Sequence, residues 1–121
     1  MDKGRLLIGG VSRGGLLSLA YSGTRPDMFL GVVNFMGGWL GEGCKGAAVT
    51  VNQAGFVRGA SMPRPTLWLY GERDSYYALE HSRANFEAFR AAGGQGRLVS
   101  YVLQPGRDGH GIHSHPALWR D

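Results

Sequence analysis

Between a short apolar run, Arg5–Gly9, and a helical pattern beginning at Val11 lies Gly10-Val11-Ser12-Arg13-Gly14, the feature that most limits what this chain can fold into. A G-x-S-x-G between a buried strand and a helix is a turn so sharp that its serine is held at strained backbone angles. The flanking positions must then lack side chains, and the serine oxygen is pushed out at the carboxyl edge of a sheet. The turn, residues 9–15, predicts Ser12 as a nucleophile, with the N–H of Arg13 and the positive end of the helix facing any oxyanion formed there.

The rest of the chain fits that frame. Arg5–Gly9, Phe29–Met36, Thr66–Tyr70 and Leu98–Leu103 read as strands, the first as one buried on both faces. Val11–Tyr21 and Tyr77–Ala92 read as helices, the second ended by Gly93-Gly94, and Val49–Ala60 as a weaker one. Pro116-Ala117-Leu118-Trp119 reads as the first turn of another. Strands alternating with helices predict an α/β fold, a three-layer αβα arrangement with a mostly parallel sheet of about four strands. Residues 1–121 read as a single, apparently truncated domain, with 37–64 a lid-like insertion over the sheet.

A serine hydroxyl needs a base, and in this type of turn the chain order is Ser, then Asp or Glu, then His. Asp74, in the loop 71–76 just past the third strand, is the candidate acid, with Glu72 as runner-up. The loop 105–115 holds His110, His113 and His115. His110, flanked by Gly109 and Gly111, is the candidate base, and His113 is next. His-x-x-His-x-His could also present three nitrogens to a metal, with Asp108 as the accompanying carboxylate, but no metal is expected. Phe35, Trp39, Tyr76 and Tyr77 are candidate substrate-binding residues. His81 reads as a surface residue on the long helix, and Cys44 as a small packing residue.

Composition closes several other routes. Glycine is high, 21 of 121 residues, without a collagen-like period, and no apolar run reaches the ~18 residues of a membrane span. The net charge of +4 comes from arginines scattered singly, without the basic stripe that nucleic acid requires. One cysteine excludes an internal disulfide and a cysteine-based zinc site. No targeting segment is legible, so the compartment is unknown and cytoplasmic by default. Both ends read as cuts through a larger fold.

Gly9-Gly10-Val11-Ser12-Arg13-Gly14-Gly15, Leu67-Trp68-Leu69-Tyr70-Gly71-Glu72-Arg73-Asp74 and Gly109-His110-Gly111 together resemble the C-terminal half of an α/β-hydrolase, in its dienelactone hydrolase-like branch. The resemblance runs along nearly the whole chain. It implies Ser12 as nucleophile, Asp74 as acid and His110 as histidine of a triad, no cofactor, and Phe35-Met36-Gly37-Gly38-Trp39 at the strand end that lines the acyl pocket. Dienelactone hydrolases proper carry cysteine in the elbow. Serine here turns the expectation toward general ester hydrolysis, with a small-molecule ester as partner. The family's sheet begins with strands that have no counterpart here, and a loop among them supplies a second oxyanion N–H, typically worth about 10²–10³ in rate.

Three readings therefore stand at this level. The first is a serine esterase working through Ser12, His110 and Asp74, with a serine peptidase of the same superfamily beside it. The second is a catalytically silent fragment or interaction module of the same fold. The third is a metal-binding histidine loop. The strand at Arg5–Gly9, central in the complete sheet, is an edge here, which predicts a homodimer through that edge or poor solubility.

Overall fold

The computed structural model describes residues 4–41 and 46–120. Four strands, β1 (Leu7–Val11), β2 (Gly31–Phe35), β3 (Thr66–Gly71) and β4 (Gly96–Tyr101), form one sheet in the order β1-β2-β3-β4. Every pairing is parallel. Helices α1 (Arg13–Thr24), α2 (Gly46–Arg58) and α3 (Leu79–Ala91) are the crossovers, and α4 (Pro116–Trp119) follows β4. Each crossover advances one strand in the same direction. A common right hand therefore puts α1, α2 and α3 on one face, where α1 packs on α2 and α2 on α3.

Period-2 alternation decides which side chains meet those helices. Val32 and Asn34 of β2 and Thr66, Trp68 and Tyr70 of β3 face them and are buried. Trp68 is the hub. Its ring lies 4.5 Å from that of Phe56 on α2, and 5.1 and 5.2 Å from those of Phe86 and Phe89 on α3. Its indole N–H donates to Thr66 Oγ1 at 3.0 Å, so its one polar atom is satisfied. A ring of this size, fully buried, contributes on the order of 5 kcal/mol before entropy is counted. The opposite face is covered more thinly, by Trp119 of α4 edge-on to Phe35 at 4.9 Å.

Several boundaries move from those the sequence predicts. β1 runs on through Gly9 and Gly10, which pair with Val33 and Asn34, and it is not buried on both faces. As an edge strand facing the thin side, it leaves Leu7 67 % exposed. β4 starts two residues earlier than Leu98, because Gly96 pairs with Thr66. Segment 37–64 is mostly the β2–β3 crossover rather than a cover. Within it α2 sits in the helical layer, with Phe56 fully buried. Cys44 lies outside the described residues. Among the described residues no helix is long and apolar enough to cross a membrane.

Candidate active site

Ser12 follows the last residue of β1 and precedes the first of α1, with φ 57° and ψ −121°. Those angles are unfavourable for a residue with a side chain, by about 1–3 kcal/mol. The surrounding backbone holds them in place. Ser12 N–H donates to Phe35 O at 2.9 Å, and Ser12 O accepts from Gly15 N at 2.9 Å and Gly38 N at 3.2 Å. The described non-glycine residues with positive φ are Ser12, Met36 and Arg73. They lie just beyond β1, β2 and β3, so the strain gathers at one edge of the sheet.

The other functional candidates come to the same edge from loops after β3 and β4. A side-chain carbon on Gly71 would collide with Gly109, and one on Gly109 with Glu72 O and Gly71 O. The two backbones can therefore touch only as glycines, and Gly109 N–H donates to Arg73 O at 3.2 Å. That approach sets His110 beside Asp74. Asp108 caps the 3-10 turn carrying His110, its Oδ1 accepting His110 N–H at 2.9 Å and Ser75 N–H at 3.0 Å. The hydrogen bonds from Ser75, and then that from His110, hold the Asp108 carboxyl below the usual carboxylate range.

The three side chains form a continuous hydrogen-bonded line. Ser12 Oγ lies 3.1 Å from His110 Nε2, and His110 Nδ1 lies 3.0 and 3.1 Å from the two oxygens of Asp74. Asp74, whose side chain is fully buried, also accepts the N–H groups of Tyr76 and Tyr77 through Oδ1, at 2.8 and 2.9 Å. As an acceptor of three donors the carboxylate fixes the tautomer: Nδ1 carries the hydrogen, and Nε2 faces Ser12 with its lone pair.

A cleft of about 430 Å³ opens on this line. Trp39, Tyr76, Tyr77 and Gly41 border it beside Ser12, Arg13 and His110. The Tyr76 ring stands 4.4 Å from the His110 ring and that of Tyr77 5.4 Å. Arg13 opens α1, with its guanidinium 5.6 Å above the Trp39 ring.

Phe35 is not part of the cleft. Residue 35 falls on the face away from α1–α3, so its ring meets Trp119, and only its carbonyl reaches Ser12. Glu72 does not join the line, since β3 continues through Gly71 and Glu72 N–H pairs with Tyr101 O. His113 is exposed, and His115 borders a different cleft with Leu103, Arg107 and Leu118. Among the described residues no group of three or more His, Cys, Asp or Glu side chains converges as metal ligands.

Two supporting groups escape the sequence. Asn34 and Tyr70, buried under the turn, are joined by a bond from Asn34 Nδ2 to Tyr70 Oη at 3.2 Å, and Tyr70 donates to Gly37 O at 2.9 Å. Burial pushes the Tyr70 hydroxyl far above its usual range, so it stays a donor. Asn52 of α2 and His81 of α3 meet behind Trp39, at 3.0 Å. Polar residues in amphipathic helices give no sequence signal of such a contact.

No family model and no curated protein matches the chain. Solved structures do. One is a Klebsiella pneumoniae protein assigned as a dienelactone hydrolase, 25 % identical, with a TM-score of 0.66 over 94 % of this chain. The fold is that of an α/β-hydrolase, in part. A Pyrococcus furiosus esterase is 15 % identical, with a TM-score of 0.66 over 94 % of this chain. A Pyrococcus horikoshii acylaminoacyl peptidase is 16 % identical, with a TM-score of 0.64 over 93 %. The matched part of the chain spans 44 %, 49 % and 21 % of those three structures, less than half of each. In this chain Ser12 stands where β1 turns into α1, the strand-turn-helix setting of a G-x-S-x-G turn.

Proposed function

We propose that the chain is the serine-hydrolase half of an enzyme that cleaves carboxylic esters, with Ser12, His110 and Asp74 as its triad. The supporting observation is the unbroken line from Ser12 Oγ through His110 to Asp74, at 3.1 and 3.0 Å. His110 Nε2 takes the Ser12 proton as Oγ attacks the ester carbonyl carbon. The carbonyl oxygen becomes an oxyanion beside the Arg13 N–H and the start of α1. Collapse breaks the ester C–O bond, and His110 returns the proton to the departing alcohol. A water then gives a proton to His110 and attacks the acyl carbon. Ser12 leaves with that proton, and the carboxylic acid is released. Asp74 keeps the imidazole in the required tautomer and stabilises its cation.

A peptidase reading rests on the likeness to the acylaminoacyl peptidase and uses the same residues, with an amine as leaving group. Labelling with a fluorophosphonate probe, followed by mass spectrometry, tests the common step. The expected result is an adduct on Ser12 that is lost in Ser12→Ala and His110→Ala. Asp74→Asn, which would favour the wrong tautomer, should slow ester turnover by on the order of 10⁴. No adduct in folded protein would leave the silent-fragment reading. Anilide substrates turned over faster than matched esters would favour the peptidase.

A further inference from the structure

Trp39 borders two spaces at once. On one side is the cleft over Ser12, and on the other an apolar groove of about 380 Å³ between α1 and α2, bordered by Leu16, Leu17, Val51, Ala54 and Gly55. Among the described residues Trp39 is the one lining residue that the two spaces share, and Arg13 stacks over its ring. Trp39 is 38 % exposed, so packing alone does not fix it.

Its backbone is fixed from behind. Asn52, fully buried on α2, accepts the N–H of Trp39 at 2.7 Å and that of Leu40 at 3.2 Å through Oδ1. Its Nδ2 donates to Leu40 O at 2.9 Å. Two N–H donors on one atom and a carbonyl on the other leave only one orientation of the amide. The second Nδ2 hydrogen therefore points at His81 Nε2, 3.0 Å away, and that nitrogen must be the acceptor. His81 thus completes the hydrogen bonding of a buried amide whose other three contacts all hold residues 39 and 40.

We propose that Asn52 and His81 are positioning residues that hold Trp39 as a closed partition, and so confine the site to esters of short acyl chain. Releasing the partition joins the cleft to the α1–α2 groove, whose aliphatic lining suits a longer hydrocarbon acyl chain. This inference rests on the ester-hydrolase reading for its substrate, but the clamp itself can be read without turnover.

The test compares His81→Ala, His81→Gln, Asn52→Ala and Trp39→Ala with the natural chain. Gln at 81 can still offer an acceptor oxygen; Ala cannot. Hydrogen-exchange mass spectrometry of the peptide spanning 39–40 should show faster exchange in His81→Ala, by about fivefold for one lost hydrogen bond, and near-natural exchange in His81→Gln. The ratio of kcat/KM for p-nitrophenyl octanoate over p-nitrophenyl acetate should rise by a similar factor in His81→Ala, mainly through a lower KM for octanoate. It should rise furthest in Trp39→Ala and stay within about twofold in His81→Gln.

Asn52 is buried, so Asn52→Ala could unfold the chain; the half-buried His81 keeps the test decisive. Unchanged exchange at 39–40 in His81→Ala overturns the clamp, whether or not the chain turns over ester. Faster exchange with an unchanged octanoate-to-acetate ratio overturns the selectivity. A natural chain that neither labels at Ser12 nor hydrolyses either ester overturns the hydrolase reading and the selectivity with it, while exchange still decides the clamp.

Discussion

A side-chain carbon on Gly10 would collide with the backbone of Gly14, whereas one on Gly14 would meet nothing within 4 Å among the described residues. The two glycines of the pentapeptide are therefore not equivalent. Gly10 lies on the inner side of the turn, where α1 folds back over the end of β1. Gly14 is the second residue of α1 and points into open space. The crowded partner on the helix side is Gly15, whose added carbon would strike the Asn34 amide oxygen. Gly10→Ala should destabilise the chain by about 3 kcal/mol or prevent folding, because backbone would have to move. Gly14→Ala should raise the melting temperature, since alanine in a helix is favoured over glycine by roughly 0.5–1 kcal/mol. Thermal unfolding of both variants checks the contrast.

Asp108 leads to a prediction about acid. Its carboxyl is held below its ordinary value of 3.8, with the Ser75 hydrogen bonds first among the causes. A depressed folded pKa adds stability above the unfolded pKa and loses it as pH falls through the folded value. Asp108→Asn should therefore be less stable than the natural chain by a similar margin at every pH above about 5, and the difference should close below about pH 4. The carboxylate is largely exposed, so the margin is small. Urea unfolding at stepped pH checks it. A gap that widens in acid would contradict the assignment.

Tyr70 and Asn34 give the next expectation. Among the described residues Asn34 Oδ1 is buried without a hydrogen-bond partner, so Tyr70 Oη is what satisfies the amide's other end. Tyr70→Phe strands Asn34 Nδ2 and Gly37 O together. A loss of about 1–3 kcal/mol should follow, with ester turnover falling as residues 37–38 relax away from Ser12 O. Denaturant unfolding and kinetics on the same sample read both.

The parallel sheet and the three residues that meet as Ser12, His110 and Asp74 are legible in the sequence because each rests on local pattern. Apolar runs closed by glycine mark the strands, and G-x-S-x-G and Gly109-His110-Gly111 mark where backbones must approach closely. The misses share a different origin. Phe35 looks like a pocket residue because it stands at the strand end that lines the acyl pocket in the family the chain resembles, yet a one-residue step in a strand sends its ring to the other face. Segment 37–64 looks like a cover by its length, yet α2 is the helix that buries Phe56. Asn52 and His81 are 29 residues apart in the chain and meet only because α2 packs on α3. Nothing local encodes that meeting.

The outer edge of β1 carries the last expectation. Leu30 N–H donates to Leu6 O at 2.7 Å and Ser12 N–H to Phe35 O at 2.9 Å, so even-numbered residues of the strand turn their backbone groups toward β2. Alternation leaves the N–H and C=O groups of Leu7, Gly9 and Val11 facing outward, and Leu7 and Val11 are 67 % and 38 % exposed. An open apolar edge of this kind is a template for another strand. A second copy can supply one by antiparallel pairing of β1 with β1 about a two-fold axis, which would extend the sheet to eight strands. Sedimentation of the chain at tens of micromolar should give a dimer. Leu7→Lys, which places a charge on the edge, should shift it toward monomer without changing the melting temperature at high dilution. A monomer for the natural chain across that range would rule the pairing out.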